Sequence, residues 1–264
     1  MPRIHSERRG SGRPILILHG GRLDHRHMLD ALEPAFAVTE GWQRVYPDLP
    51  GCGASTGFDE VRSQDDVLTE ILRFADETFG ARAFAVIGES RGSYLAQGLA
   101  YRRPGQVRGL CLIVPGGDSA EAKAQLPEPA ALIADPDLIA GLTSELRTRA
   151  ERLVVQTEAV VGKIRETKLP AAALHDAALE ARVAERFFFS FHDAMRSTIF
   201  KEPSLVISGR QDSIAGYEDA IAMLPQFPRA TYALLDCAGH SLSWERPELF
   251  AALLRDWLER LSRT

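Results

Sequence analysis

Ser90 stands between two glycines, in the segment Gly88-Glu89-Ser90-Arg91-Gly92. A serine hydroxyl is a poor nucleophile at neutral pH, so it requires a general base, and that base requires an acid to orient it. Residues of both types occur downstream, as Asp212 and His240. Together the three residue types predict nucleophilic catalysis by Ser90.

The segments on either side of Ser90 predict a strand, a tight turn and a helix. Residues 83–86 are an apolar run of buried-strand type, and residues 94–101 have apolar side chains at helical spacing. This is the context of the G-x-S-x-G turn, which holds a serine on a strained corner between a strand and a helix. We expect Gly88 and Gly92 to be required because a side chain at either position would collide with the neighbouring strand or helix.

Asp212 and His240 each follow a predicted strand, as Ser90 does. The predicted strands cover residues 14–18, 43–46, 83–86, 107–114, 204–208 and 231–235, and helical patterns lie between them. Such alternation predicts an α/β fold with a parallel sheet flanked by helices. Because parallel strands end on the same side, the three residues can converge there. Their order along the chain, Ser90, Asp212 and His240, is also the order associated with this turn.

Residues 118–199 interrupt the alternation. They contain helical patterns over about 137–168 and 169–195, with no convincing strand, and Asp135-Pro136 is typical of a helix start. We therefore predict an all-helical insertion at residues 118–199, within a core formed by residues 1–117 and 200–264.

Five motifs occur in an order that resembles the α/β-hydrolase fold. They are His19-Gly20-Gly21, the segment from Asp48 to Ser55, the Ser90 turn, Gly209-Arg210-Gln211-Asp212 and Gly239-His240. The resemblance covers nearly the whole chain. It implies a mostly parallel eight-stranded sheet flanked by helices, with residues 118–199 as a helical cap between the sixth and seventh strands.

The resemblance also implies a mechanism. Ser90 would attack a carbonyl carbon while His240 takes its proton and Asp212 fixes the imidazole tautomer, and water would then hydrolyse an acyl-enzyme. The backbone N–H groups of Gly21 and Arg91 would bind the oxyanion. The side chain of Arg91 is then free for another purpose, and one hypothesis is that it attracts a substrate carboxylate.

Several assignments have rivals. Asp118 follows another predicted strand and competes with Asp212 as the acid. Phe188 and His192 fit either the core of the cap or a wall of the substrate pocket. His25 and His27 form an H-x-H pair, but no helical spacing or cysteine partner supports a metal site. We expect neither a metal nor a cofactor.

The composition excludes several classes of protein. The 264 residues carry a formal charge of -5, without a basic stripe, which argues against nucleic-acid binding. The three cysteines include no C-x-x-C pair, so a reducing compartment is expected. No apolar run has the length of a membrane span, and the N-terminus has no signal-peptide pattern. These features predict a cytoplasmic protein that does not bind membranes.

The expected function is hydrolysis of small carboxylic esters or related acyl compounds by a serine hydrolase, present as a monomer or homodimer. The expected partner is a small-molecule acyl substrate. Three alternatives remain: a carbon-carbon bond hydrolase, an aminopeptidase of the same fold, or a non-catalytic binding protein. Aminopeptidase relatives usually have His-Gly-Gly-Pro-Gly in the oxyanion loop, whereas Arg22-Leu23 follows Gly21 here.

Overall fold

A computed structural model describes residues 2–116 and 125–263. These residues form one sheet of seven strands in the order β1-β3-β2-β4-β5-β6-β7. Only the β1–β3 pair is antiparallel. The strands are β1 (Ser6–Arg9), β2 (Arg13–Leu18), β3 (Trp42–Pro47), β4 (Phe84–Glu89), β5 (Val107–Ile113), β6 (Ser204–Gly209) and β7 (Ala230–Leu235).

The sheet differs from the prediction at its edge. The described residues contain seven strands where eight were expected, and β1 was not predicted at all. β1 has the sequence Ser-Glu-Arg-Arg and pairs on one side only. An edge strand of polar residues buries no apolar face, so it lacks the hydrophobic pattern by which strands are recognised. The other six predicted strands are confirmed.

Helices cover both faces of the sheet. In β2, Ile15 and Ile17 pack into one hydrophobic cluster and Leu16 and Leu18 into another, as alternate residues of a buried parallel strand do. The first cluster includes residues of α1 and α12, and the second includes residues of α2, α3 and α10. These helices are α1 (His25–Phe36), α2 (Gln64–Phe79), α3 (Arg91–Arg102), α10 (Glu218–Met223) and α12 (Pro247–Ser262).

The helices between β5 and β6 are short. The two long helices predicted there are wrong: in the described part, the segment contains six helices and one π-helical turn. Gly141 follows the end of one helix, and the Asp176 side chain caps the start of another. The elements are α4 (Pro136–Ala140), α5 (Ser144–Ala150), α6 (Glu158–Lys163), the π-helical turn (Ile164–Lys168), α7 (Leu169–Ala172), α8 (Ala177–Ala184) and α9 (His192–Arg196).

This helical segment packs onto the carboxyl edge of the sheet. Leu146, Val161 and Ile164 form a cluster with Trp244, which belongs to the short helix α11 (Leu242–Glu245) after β7. Leu179 and Phe189 join the core on the side of α2 and α3. The segment is thus anchored at two points beside the ends of the strands. Among the described helices, each is too short or too polar to cross a lipid bilayer.

Candidate active site

Ser90 occupies the corner between β4 and α3. Its backbone φ is +53°, in the left-handed region that residues other than glycine rarely adopt. A Cβ atom on Gly88 would lie 2.2 Å from the carbonyl oxygen of Gly92, and one on Gly92 would lie 2.2 Å from that of Leu18. Both glycines are therefore required by close backbone approaches, as the sequence predicted.

Backbone strain is concentrated near the ends of the parallel strands. In the described chain, the non-glycine residues with positive φ are Arg22, Ser90, Val114 and Cys237. They follow β2, β4, β5 and β7, respectively. Such conformations cost about 1–3 kcal/mol each and cluster at functional sites, where the surrounding structure holds them. The strained residues therefore indicate a functional site at the carboxyl edge of the sheet.

Asp212 and His240 form a hydrogen-bonded pair at this edge. The His240 Nδ1–H donates to Asp212 Oδ2 at 2.8 Å, and the backbone N–H groups of Ile214 and Ala215 donate to Oδ1 at 2.8 and 3.0 Å. The Asp212 carboxylate is fully buried. Burial alone would lower the pKa of His240, but the charge and hydrogen bond of Asp212 outweigh it, so this pKa is raised.

A glycine brings the two loops that carry this pair into contact. A Cβ atom on Gly209, at the end of β6, would lie 2.5 Å from the carbonyl oxygens of Ala238 and Gly239. The absence of a side chain there lets Asp212, three residues on, reach His240. The rival acid, Asp118, lies outside the described residues.

His19 fixes the loop that contains Gly21. Its buried ring accepts a hydrogen bond from the Leu49 N–H at Nε2 (2.9 Å), so Nδ1 carries the proton and donates to the Gly20 carbonyl (2.7 Å). Burial lowers the pKa of His19 to about 4, which keeps the ring neutral. A Cβ atom on Gly20 would lie 3.4 Å from that of Ser90, so the loop lies against the serine.

The backbone and the side chain of Arg91 have different roles. Its N–H is the first of α3 and has no acceptor within the helix. Its guanidinium is buried: Nε and Nη2 donate to Gln64 Oε1, at 3.1 and 2.9 Å, and Nη1 donates to Glu180 Oε2 at 3.0 Å. The side chain thus links the Ser90 corner to α2 and α8.

Glu89, the residue before Ser90, forms a buried pair with His27. His27 Nε2 donates to Glu89, with its carboxylate oxygens at 2.7 and 2.8 Å, and the His27 ring meets Trp244 edge-on. Burial would raise the pKa of Glu89, but the electrostatic influence of His27 and its hydrogen bond, with smaller effects from Lys168 and His240, lower it to about 2. Sequence reasoning missed this pair. The available signal was the position of His27, four residues before Ala31 on the buried face of α1.

His25 points to a different cluster from His27. The side-chain atoms of His5, His25 and Asp48 that could bind a metal ion lie within 4.8 Å of one another. The His25 ring and backbone N–H both donate to Asp48 Oδ1 at 2.8 Å, and the Ala54 N–H donates to Oδ2 at 2.9 Å. These hydrogen bonds hold the loop that follows β3.

Phe188 and His192 lie near each other, at a cavity of about 120 Å³ that Tyr94 also lines. The Tyr94 hydroxyl donates to His192 Nδ1 at 2.8 Å and accepts from the Phe189 N–H at 2.9 Å. Phe188 is 47% exposed. This cavity is separate from the one that reaches His240.

The cavity at His240 has a volume of about 390 Å³. Its wall includes Ser241, the residue after His240, and two residues of the π-helical turn, Ile164 and Lys168. Lys168 was not singled out from the sequence, where it is one basic residue within a long helical pattern. The π-helical turn, a rare element that is frequent at functional sites, became visible only in the structure.

The chain is similar to known hydrolases along most of its length. Residues 15–253 match the profile of the Alpha/beta hydrolase family. A 2-hydroxy-6-oxononadienedioate/2-hydroxy-6-oxononatrienedioate hydrolase of Paraburkholderia phymatum is 25% identical, over 97% of this chain and 91% of the relative. Monoacylglycerol lipase ABHD6 of Bos taurus is 26% identical, over 96% and 79%. The crystal structure of an alpha/beta superfamily hydrolase from Oenococcus oeni superposes with a TM-score of 0.89 at 26% identity, covering 98% of this chain and 96% of that one.

Proposed function

The chain belongs to the alpha/beta hydrolase family and is a hydrolase, and on that premise we propose that it cleaves small carboxylic esters or related acyl compounds through a Ser90-His240-Asp212 triad. The observation that carries the proposal is the hydrogen bond from His240 Nδ1 to Oδ2 of the buried Asp212, at 2.8 Å. This bond leaves Nε2 as the basic atom of the ring, which is the atom that must accept the serine proton.

In the proposed first step, the Ser90 oxygen attacks the carbonyl carbon of the substrate as Nε2 of His240 takes the hydroxyl proton. Asp212 stays ionised and stabilises the imidazolium. The imidazolium then protonates the leaving group, which gives an acyl-enzyme on Ser90. Water, activated by the same nitrogen, hydrolyses the acyl-enzyme and restores the serine.

The tetrahedral intermediates carry a negative oxygen that needs fixed donors. The proposed donors are the backbone N–H groups of Gly21 and Arg91. The hydrogen bonds that His19 makes to Gly20 and Leu49 support this assignment, because they hold the loop that contains Gly21 in place. One such donor typically lowers the barrier by about 3 to 4 kcal/mol.

A second candidate is cleavage of a carbon-carbon bond. The Paraburkholderia phymatum relative is named as a hydrolase of 2-hydroxy-6-oxononadienedioate and its triene analogue, and it aligns with almost the whole of this chain. The lipase relative has a similar level of identity and favours ester cleavage. Parallel turnover assays with an aryl ester and a vinylogous 1,5-diketone will separate the two activities.

Labelling with a fluorophosphonate tests the proposed nucleophile. The wild-type protein should gain one phosphonyl adduct by intact mass, and peptide mapping should find it on Ser90. Ser90→Ala should gain none and should lose about four to six orders of magnitude in kcat. An unlabelled wild-type protein that also hydrolyses no ester, under conditions that label a known serine hydrolase, would favour a non-catalytic binding role instead.

A further inference from the structure

The cavity at His240 has an unusual concentration of positive charge. Its lining contains one carboxylate, that of Glu145, and four cationic side chains: Arg22, Arg149, Arg152 and Lys168. The whole chain, in contrast, carries a net charge of -5. A volume of about 390 Å³ falls in the range typical of small-molecule sites, about 300–1,000 Å³. This wall therefore favours a small anionic molecule.

Lys168 places one of these charges beside Ser241. Its ammonium group donates to the Ser241 hydroxyl at 3.1 Å and lies over the ring of Trp244, 4.9 Å from its centre. Ser241 follows His240 directly. Among the described residues, Lys168 has no carboxylate within 4 Å. A hydroxyl and an aromatic face hold the ammonium group in place but do not neutralise its charge.

The carboxylates that face Lys168, those of Glu89, Glu245 and Asp212, already have hydrogen-bond partners of their own. Glu89 is held by His27. Glu245 accepts hydrogen bonds from the backbone N–H groups of Gly239 at 2.6 Å and Val154 at 2.7 Å. These contacts leave the ammonium group of Lys168 available to an anion that enters the cavity.

The sequence suggested Arg91 as the residue that attracts a substrate carboxylate, but its side chain has other partners. Its guanidinium already donates to Gln64 and Glu180 and is buried. Lys168, on the cavity wall, is the better positioned cation.

We infer that the hydrolase acts on acyl substrates that carry a second, ionised carboxyl group, which Lys168 binds while the scissile carbonyl lies at Ser90. This inference rests on the proposed function, since it concerns the substrate of the same site. Lys168 acts in substrate binding and selectivity, and Arg149 and Arg152 make the entrance attractive to anions.

The test compares two esters with the same six-carbon acyl chain, mono-4-nitrophenyl adipate and 4-nitrophenyl hexanoate. The readout is the ratio of their kcat/KM values. The wild-type enzyme should prefer the adipate ester, and Lys168→Gln should lower the ratio by about 10- to 100-fold, as expected for loss of a charge-assisted hydrogen bond. Lys168→Arg, which keeps the charge, should restore most of the ratio.

Arg165→Gln is the matched control. Arg165 belongs to the same π-helical turn, but its exposed side chain pairs with Glu158. Its removal should change the ratio less than twofold. An unchanged ratio in Lys168→Gln, or an equal loss with both esters, overturns the inference and assigns Lys168 a structural role. If the wild-type enzyme hydrolyses neither ester and is not labelled on Ser90, the proposed function fails as well.

The pH dependence of the ratio supplies a second readout. Burial lowers the pKa of Lys168 from the ordinary value of 10.5. The preference for the adipate ester should therefore disappear with rising pH through a midpoint below 10.5, while hexanoate turnover follows the triad alone. A preference that persists at pH 10.5 contradicts the inference. The charged groups that face Lys168 are Glu89, Asp212, Glu245, Arg149 and His240.

Discussion

Replacing Asp212 by asparagine tests the acid of the proposed triad with almost no change of shape. The amide oxygen of asparagine can keep both hydrogen bonds from the N–H groups of Ile214 and Ala215. Its NH₂ group must then face His240 Nδ1, where a carboxylate oxygen now accepts a hydrogen bond at 2.8 Å. Two donors cannot share that contact. The imidazole therefore moves its proton to Nε2, and the nitrogen that should accept the Ser90 proton is no longer basic.

The expected loss in kcat is about 10⁴-fold, or about 5 kcal/mol of transition-state stabilisation. The assay is steady-state release of 4-nitrophenol from an aryl ester, together with the rate of fluorophosphonate labelling at Ser90, which should fall in parallel. Thermal unfolding followed by circular dichroism should show a folded protein, because the two backbone hydrogen bonds remain.

Two further variants complete this experiment. Asp256→Asn makes the same chemical change on the exposed face of α12 and should leave kcat within twofold. Asp118→Asn examines the rival acid, which follows β5 in the sequence. Nearly full activity in Asp212→Asn, with a large loss in Asp118→Asn, would refute the assignment of Asp212 as the acid.

Other predictions follow from the same contacts. Because Asp212 raises the pKa of His240 and only the neutral ring is a base, kcat/KM should rise with pH through a midpoint above 6.5; a profile flat from pH 5 to 8 contradicts this. The Glu89 charge also raises the pKa of His240, so Glu89→Gln should lower this pKa and move the acid limb of the pH–kcat/KM profile to lower pH. A shift to higher pH would count against this electrostatic account. The positive charge of Lys168 lowers the pKa of His240, so Lys168→Gln should raise this pKa and move the acid limb to higher pH. An unmoved limb would indicate that Lys168 and His240 do not interact electrostatically. Gly92→Ala must displace backbone that lies 2.2 Å from the new Cβ, which should cost about 3 kcal/mol and lower the melting temperature by roughly 6 to 10 °C; an unchanged melting temperature would show that the corner can relax.

The local sequence pattern was sufficient for the central strands and the Ser90 corner. Buried parallel strands are short continuous apolar runs, which is why β2, β4 and β6 were recognised within one to three residues at each end. The need for Gly88 and Gly92 could be predicted as well, because a G-x-S-x-G corner between a strand and a helix leaves no room for side chains at these positions. The expected convergence of Ser90, Asp212 and His240, each after a strand, then followed from the rule that parallel strands end on the same side.

The pattern failed where structure depends on contacts with distant parts of the chain. β1 is polar and forms because β3 offers it a free edge. The helices between β5 and β6 are shorter than predicted, because apolar periodicity does not reveal where a segment must bend to stay on the sheet edge. Their packing on Trp244 sets the course of the chain there.

The roles of individual charged side chains were also beyond the sequence. Arg91 follows the nucleophile, yet Gln64 and Glu180, from α2 and α8, engage its guanidinium. Lys168 is 78 positions from Ser90 in the printed sequence, yet it lines the cavity at His240. The sequence by itself determined the fold family and which residues have the chemistry for catalysis, because local patterns encode strands, turns and their order. Only the tertiary structure decided which charges are neutralised and which face the cavity, because that depends on pairs of residues that folding brings together.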